Sequence, residues 1–422
     1  MSEPGAPRMT RLATASAVGT ALEYYDFAVY NTLAAAVFNK LFFPNFDPMA
    51  GMLLAFATFW LGYLSRPFGG VVFGHLGDRR GRRFVLVITL LMMGVTTALI
   101  GVLPTYQSAG VLAPILLVTL RFLQGMALGG EWAGAVLLSA EHGSNARRGR
   151  NAAFAQMGPS IGTLLATGTV YLVSRLMDER QLIDWGWRVP LLASVVLVCF
   201  GLWVRAGVPE TPLFRELQKN AAQSRAPLGE VARRHWRGLL VGGGVRFGPD
   251  VLYSLVAIFS IGYVVTVLEL PRDIAVLGVC VGSALNAVLV VVAGQMSDRF
   301  GRRAVYGAGV AAAFLWLLVF FPLIDSGKDL AIIAAIAGGL AVHAFMYGPQ
   351  AAFIAEQFPT RVRYAGSSLA YTLAGVFAGG LAPLVLGSLH QAYGKSWLLA
   401  AYCAATLLLT AISLRLARPA QE

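Results

Sequence analysis

Apolar residues run in long blocks along this chain, divided by short polar stretches. The blocks are long enough to cross about 30 Å of hydrocarbon at about 1.5 Å per residue. Twelve of them lie near residues 14–40, 49–73, 84–104, 111–140, 151–174, 187–205, 238–268, 273–295, 304–323, 330–350, 364–389 and 396–415. None alternates as a barrel strand does, and lipid offers an open backbone amide no partner, so each block predicts a helix. The expected fold is an all-α membrane protein of twelve transmembrane helices in two six-helix, pseudo-symmetric bundles. The division rests on an internal repeat. Gly74-His75-Leu76-Gly77-Asp78-Arg79-Arg80-Gly81-Arg82-Arg83 returns as Gly294-Gln295-Met296-Ser297-Asp298-Arg299-Phe300-Gly301-Arg302-Arg303, and Ala140-Glu141 with Arg148 returns as Ala355-Glu356 with Arg363. This predicts an N-terminal bundle over 1–205, a polar linker over 206–236 and a C-terminal bundle over 237–422.

Composition agrees with lipid as the solvent: hydrophobic residues make up 57% of the 422, charged residues only 13%, and the mean hydropathy is +0.66. The net charge of +12 would fit nucleic acid, but most of the 33 Lys and Arg fall in alternate loops. That is the positive-inside asymmetry, so no nucleic-acid partner is expected. It predicts a multi-pass plasma-membrane protein with both termini and the 206–236 loop in the cytoplasm. Cys199, Cys280 and Cys403 lie inside spans without ligand spacing and read as small core residues. No metal-ligand spacing, nucleotide loop or nucleophile motif stands out, so neither an enzyme nor a bound metal or cofactor is expected.

The remaining charges sit inside spans, where an ion costs about 2.5–3.5 kcal/mol or more, and by default they line a polar chamber between the bundles. They are Arg66, Arg121 and Arg246, with Glu23, Asp26, Glu131 and Asp250; His343 adds a titratable group in span ten. Glu23, Asp26 and Tyr30 follow at helical spacing, three and four apart. Two carboxylates so close in low dielectric are not both ionised, so one is expected to hold a proton, as coupling requires; the bland reading is a structural pair with an arginine. Arg121, Gln124 and Glu131 form a second polar stripe. Gly125 and Gly129 beside it are a packing seam, and the planar fork of Arg121 suits a carboxylate. In span seven, Gly242-Gly243-Gly244 precedes Arg246 and Asp250, which predicts an irregular helix with freed backbone groups; alternatively the two charges neutralise each other. Arg66 is placed near a helix end, where snorkelling is easy, as gate structure. His343 and Tyr347, one turn apart, are either core hydrogen-bonding groups or substrate contacts. Asn31, Gln156, Tyr253 and Asn286 are neutral hydrogen-bonding candidates.

The two Gly-x-x-x-Asp-Arg-x-Gly-Arg-Arg loops resemble the signature of the major facilitator superfamily, and Arg121-Phe122-Leu123-Gln124-Gly125 with Gly129 resembles its span-four motif. Gly19-Thr20-Ala21-Leu22-Glu23-Tyr24-Tyr25-Asp26-Phe27, Arg66-Pro67-Phe68-Gly69-Gly70, Gly129-Gly130-Glu131-Trp132, Gly186-Trp187-Arg188-Val189-Pro190 and Glu356-Gln357-Phe358-Pro359-Thr360-Arg361 are similar to the metabolite:proton symporter family across nearly the whole chain. The resemblance implies the bacterial cytoplasmic membrane. It also implies uptake of osmolytes such as proline and betaine, or of carboxylates such as shikimate, oxoglutarate and citrate. It further implies that Asp78, Arg79, Arg82 and Arg83, with Asp298, Arg299, Arg302 and Arg303, act as reversible cytoplasmic latches.

The combined expectation is a monomeric symporter. Glu23, Asp26, Glu131 and Asp250 are its candidate proton carriers, and Tyr30, Arg121, Gln124, Arg246, His343 and Tyr347 its candidate contacts to a small organic acid. A zwitterionic osmolyte caged by Tyr24, Tyr25 and Tyr30, or efflux of amphiphiles, are the alternatives.

Overall fold

The computed structural model describes residues 9–80, 82–129, 148–206, 227–359 and 362–417. Among these, twelve long helical segments appear and no strand. They are α1 (Met9–Leu33), α2 (Pro48–Leu64, continuing past Ser65 as Arg66–Arg80), α3 (Arg82–Gly101), α4 (Leu112–Leu128), α5 (Arg148–Leu176) and α6 (Arg188–Ala206). The second half holds α7 (Trp236–Ser254), α8 (Arg272–Phe300), α9 (Arg302–Ile324), α10 (Asp329–Ala355), α11 (Arg363–Gly375) and α12 (Ser396–Leu416). By length and composition seven of these segments are apolar enough to cross a membrane, and an eighth is a pair bent by 47° around Trp187. Several spans continue through a π turn: α1 through Ala34–Phe38, α7 through Leu255–Phe259, α11 through Val376–Gly380.

The helices face two solvents. Val196, Leu315 and Leu318 are each about two-thirds exposed or more, as expected of side chains that meet acyl chains, whereas Tyr25, Phe38 and Phe259 are buried in the bundles. Small residues govern the closest approaches. Any side chain at Gly125 would strike the Gly62 carbonyl and Ser65, and one at Gly129 would strike the Arg66 carbonyl, so α4 lies directly against α2.

The seam between halves joins α5 to α8 and α10, and α2 to α11 with its continuation. A shift of six helices maps α2 onto α8 and α5 onto α11, so the two contacts are copies of one another. Ala152 and Ala155 pack with Ala351 and Ala352 there in one buried cluster. Of the segment 206–236 expected as a polar linker, residues 207–226 lie outside the described residues and Pro227–Arg234 form a short helix; Glu131 and the segment around it also lie outside the described residues.

Span seven corrects one expectation. Gly242, Gly243 and Gly244 sit within a continuous α-helix, as does Pro249. The glycines serve packing: a side chain at Gly244 would collide with Ser413, and one at Gly248 would lie 2.9 Å from Leu407 and Thr410 of α12. The irregular backbone comes a turn later, in the π turn over Leu255–Phe259.

Candidate functional site

Among the described residues, the sequence-predicted side chains fall into three buried polar groups. The first lies at the seam. Arg246 and Asp250, one turn apart on α7, form an ion pair with Nε and Oδ2 2.6 Å apart, a close approach rather than an aligned hydrogen bond. Arg246 also donates to the Tyr371 carbonyl and lies over the Tyr371 ring, 3.3 Å from its centroid. The self-neutralising reading of this pair is thus the observed one. Glycines of α11 and its π turn admit the cluster: a Cβ at Gly375 would sit 3.1 Å from Arg246, and one at Gly379 3.3 Å from Asp250 and 3.5 Å from the Tyr63 hydroxyl.

Arg66 joins this cluster, which corrects its placement at a helix end. Because α2 continues to Arg80, Arg66 lies well inside the helix, 5% exposed, and its guanidinium turns inward over Tyr63 at 3.7 Å and Phe27 at 4.6 Å. Its charge bears on Asp250. Among the described residues the Asp250 carboxylate pairs with Arg246 and not with Arg66, and Arg66 Nε and Nη2 are buried without a hydrogen-bond partner. Tyr24 and Tyr347 complete the wall through contacts with the Tyr371 phenol.

Arg121 centres the second group, inside the N-terminal half. Its Nη1 donates to Gln124 Oε1 at 2.5 Å and its Nη2 to Asn31 Oδ1 at 2.7 Å, with Tyr30 and Phe27 rings 3.9 and 4.0 Å away. Gln124 passes the network on, donating to Thr97 Oγ1 at 2.7 Å and to the Asp26 carbonyl at 3.2 Å. The Asp26 carboxylate turns elsewhere, beside Ser194 and Thr97, and neither of its oxygens has an aligned hydrogen bond. Thr97 cannot donate to it, since that hydroxyl donates to the Met93 carbonyl at 2.9 Å. Asp26 and Arg121 were expected to meet in one chamber; they do not touch, and Gln124 with Thr97 stands between them. Helical spacing correctly places Glu23, Asp26 and Tyr30 on α1, but Tyr30 bonds Thr58 at 2.7 Å, away from the Asp26 surroundings. Glu23 is buried.

The third group spans the seam further along. Ser160 of α5 donates to Asn286 Oδ1 of α8 at 2.6 Å. The Asn286 amide reaches the Leu340 carbonyl at 2.6 Å and His343 Nδ1 at 3.1 Å, both on α10. Thr163 and Tyr253 share a hydrogen bond of 2.9 Å, and His343 stacks on Tyr347 with ring centres 5.0 Å apart.

Both ends of the halves are bridged. At the end carrying the basic loops, Asp298 accepts from the backbone N–H groups of Gly149 and Arg150, both at 2.8 Å, and so caps the N-terminus of α5 in the other half. Arg302 holds Asp298 at 3.0 Å and Glu356 at 2.5 Å. The glycines of this repeated motif have separate tasks. Gly301 adopts φ +89°, open to glycine, and Gly294 allows α5 to approach through Gly149 and Ala153. Arg303 donates to the Ala417 carbonyl, while Arg299 lies over Phe300 at 5.4 Å. The side chains of Asp78, Arg79, Arg82 and Arg83 fall outside the described residues, although the α2 helix that carries the first of them packs on α11. At the opposite end, Glu179 of the N-terminal half binds Lys40 at 2.9 Å and also Arg272 of the C-terminal half, with Arg175 and Asp273 paired beside them at 3.4 Å.

Comparison with known proteins accounts for this arrangement. A model of the family described as sugar (and other) transporter matches residues 12–238 and 215–415. The chain belongs to that family, within the major facilitator superfamily. It is 38% identical over 411 residues to the inner membrane metabolite transport protein YhjE of Escherichia coli, covering 96% of this chain and 93% of that one. The shikimate transporter of the same organism is 38% identical over 420 residues, with 98% and 96% covered. The E. coli proline/betaine transporter is 34% identical over 390 residues, with 89% and 77% covered. Crystal structures of the proton:xylose symporter XylE share the fold, one with a TM-score of 0.73 at 18% identity, covering 96% of this chain and 94% of the other. The chain is a membrane transporter, and its relatives are transporters rather than enzymes.

Sequence reasoning passed over Thr97, Ser160 and Thr163, the Glu179–Arg272 bridge, and, at the arginine cluster, Tyr63 and Tyr371 with Gly375 and Gly379. At that cluster the spacing held a signal, since Tyr371, Gly375 and Gly379 fall four apart on one helical face.

Proposed function

We propose that this transporter is a proton-coupled symporter that imports a small carboxylate by alternating access. The supporting observation is the pair of orphaned Arg66 nitrogens, buried at the seam between the halves. An unpaired cation at that depth is costly, and a substrate carboxylate would supply its missing acceptors in a fork geometry that guanidinium suits. Asp250 is paired with Arg246, so with Asp250 ionised the three groups Arg66, Arg246 and Asp250 carry a net charge of +1 before an anion enters.

The proton is assigned to Asp26, a carboxylate without a paired cation among the described residues. Gain or loss of its charge reaches Arg121 through Thr97 and Gln124. Arg121 is therefore read as part of the coupling network, and the carboxylate contact moves to Arg66 and Arg246. The basic end is assigned to the cytoplasm, with both termini, and the opposite end to the outside; the halves divide at the 206–236 linker. Rocking of the halves would break the Asp298 cap on one side or the Glu179 bridges on the other.

The zwitterion reading draws on Tyr24, Tyr25 and Tyr30, since aromatic faces hold ammonium groups. The Tyr30 face is already covered by Arg121, Tyr25 turns its hydroxyl to the Pro190 carbonyl, and the tyrosines that Tyr24 neighbours are covered too, Tyr63 by Arg66 and Tyr371 by Arg246. A second cation there would meet like charge.

The test replaces Arg66 by Gln and by Lys in purified protein and measures binding of shikimate, as a ring carboxylate, by thermal shift. Arg66→Gln is expected to weaken binding at least about tenfold, and Arg66→Lys to recover only part, because an ammonium cannot grip two oxygens in a plane. Undiminished binding by Arg66→Gln would refute the assignment.

A further inference from the structure

We infer that the group around His343 is a second, electrically neutral recognition subsite, so that the substrate is a monocarboxylate bearing hydroxyl or carbonyl oxygens at the end remote from its carboxylate. This rests on the carboxylate reading of Arg66 and goes on to name the class of acid.

The argument starts with the Asn286 amide. Its Oδ1 accepts from Ser160 and its nitrogen faces the Leu340 carbonyl, which only an N–H can satisfy. The amide orientation is thereby set, and its second N–H points at His343 Nδ1. That ring nitrogen must accept, so in the neutral imidazole the proton resides on Nε2, as a donor the network does not use. Thr163 and Tyr253 repeat the logic. Two hydroxyls carry two hydrogens, and the one bond between them consumes a single hydrogen, leaving the other to donate. The subsite therefore offers donors to an uncharged oxygen.

Position links the subsite to the arginines. The Tyr347 ring stacks on His343 and its hydroxyl meets Tyr371, whose ring lies under Arg246. Ser160 and Thr163 come from the N-terminal half, Tyr253, Asn286 and His343 from the C-terminal half, so a solute held there contacts both. The described side chains of this subsite include no Lys or Arg, so a second carboxylate would lack a counter-ion, and no carboxylate that would favour a fixed ammonium. Dicarboxylates, quaternary ammonium compounds and unsubstituted acids should all be rejected, the last because the donors would lose their partners on binding.

The experiment compares shikimate, cyclohexanecarboxylate, oxoglutarate and glycine betaine as ligands of the purified full chain, by thermal shift titration, in the wild type and in His343→Phe and His343→Gln. The wild type is expected to prefer shikimate over cyclohexanecarboxylate by at least about tenfold and to bind oxoglutarate and betaine more weakly still. His343→Phe keeps the stacked ring but no donor, and should shrink the preference towards unity by weakening shikimate alone. His343→Gln keeps a donor and should retain part of it. Equal wild-type affinity for the two ring acids would overturn the subsite, whether or not any variant folds. So would an unchanged preference in a folded His343→Phe, or tighter binding of oxoglutarate. Both of those results leave Arg66-dependent anion binding standing. A wild type that bound betaine alone, or none of the four, would instead overturn the carboxylate reading itself.

Discussion

At the scale of single residues, the buried charges divide by how far the protein partners them. Arg246 has the Asp250 charge and the Tyr371 carbonyl, and Arg121, apart from its Nε, has Asn31 and Gln124. Arg66 and Asp26 remain, each short of hydrogen-bond partners and each in a different place, one at the seam and one inside the N-terminal half. Incomplete partners at such depth are a cost that folding alone does not justify. Asp26→Asn is nearly isosteric but cannot exchange a proton, so it should bind substrate normally and allow facilitated exchange while abolishing uphill accumulation driven by a pH gradient. Counterflow and gradient-driven uptake in proteoliposomes would check both halves of that statement. Accumulation that survives in Asp26→Asn would remove this residue from the coupling role.

The same residues mark how far the sequence could be read. Spacing on a helix wheel identified Asp26, Tyr30, Arg121 and Gln124 as inward-facing, and they are buried. It could not give the rotation of α1 against its neighbours, which sends the Asp26 carboxylate towards α3 and α6 while Tyr30 turns to α2 and α4. Arg66 was misplaced for a related reason. An apolar run that ends near residue 73 hides a helix that continues through polar residues to Arg80.

At the scale of helices, the two bridges between halves are built from different physics. Asp298 caps a helix N-terminus and pairs with Arg302 in side chains only 11% and 14% exposed; Glu179, which reaches Arg272 across the halves, has a side chain 57% exposed. Exposed pairs are worth about 0.2–1 kcal/mol and are screened by salt, whereas buried charge with backbone donors is screened much less. Glu179→Gln should therefore shift the halves towards opening at the Glu179 end by only a few-fold, and high salt should mimic it in the wild type. Asp298→Ala removes a cap of about 0.5–2 kcal/mol and should favour opening at the basic end at any ionic strength. Alkylation of a cysteine introduced at Ala152, buried between α5 and α10, in a background free of Cys199, Cys280 and Cys403, reports the second opening. It should quicken in Asp298→Ala and not in Glu179→Gln. Equal alkylation rates with and without the Asp298 carboxylate would show that the cap does not latch the halves.

The latch was legible in part from sequence, because the Gly-x-x-x-Asp-Arg-x-Gly-Arg-Arg motif appears twice. Its partner was not, since the α5 N-terminus contributes backbone N–H groups that no side-chain pattern reveals. The glycine run in span seven misled in the opposite sense. Glycine marks both broken helices and tight helix contacts, and here α12 packs against it.

At the scale of the whole molecule, the duplication explains why the seam is the place for chemistry. Contacts α2 with α11 and α5 with α8 are related by the repeat, yet the polar groups they enclose differ: guanidiniums in one, amide, imidazole and hydroxyls in the other. Copies that diverge in this way give an asymmetric solute two unlike ends to bind. The twelve-helix order and the two bundles followed from hydropathy and the repeat. The pairing of charges across the seam did not, because it depends on side-chain direction across helices far apart in sequence.

Charge movement during uptake tests the central claim most directly. If a monoanion seated on Arg66 travels with one proton on Asp26, each cycle moves no net charge. Shikimate uptake by proteoliposomes under an imposed pH gradient should then proceed without current and at a rate independent of clamped potential. One positive charge entering per substrate, worth about 2.3 kcal/mol per 100 mV, or uphill accumulation that persists after the pH gradient is collapsed, would contradict it.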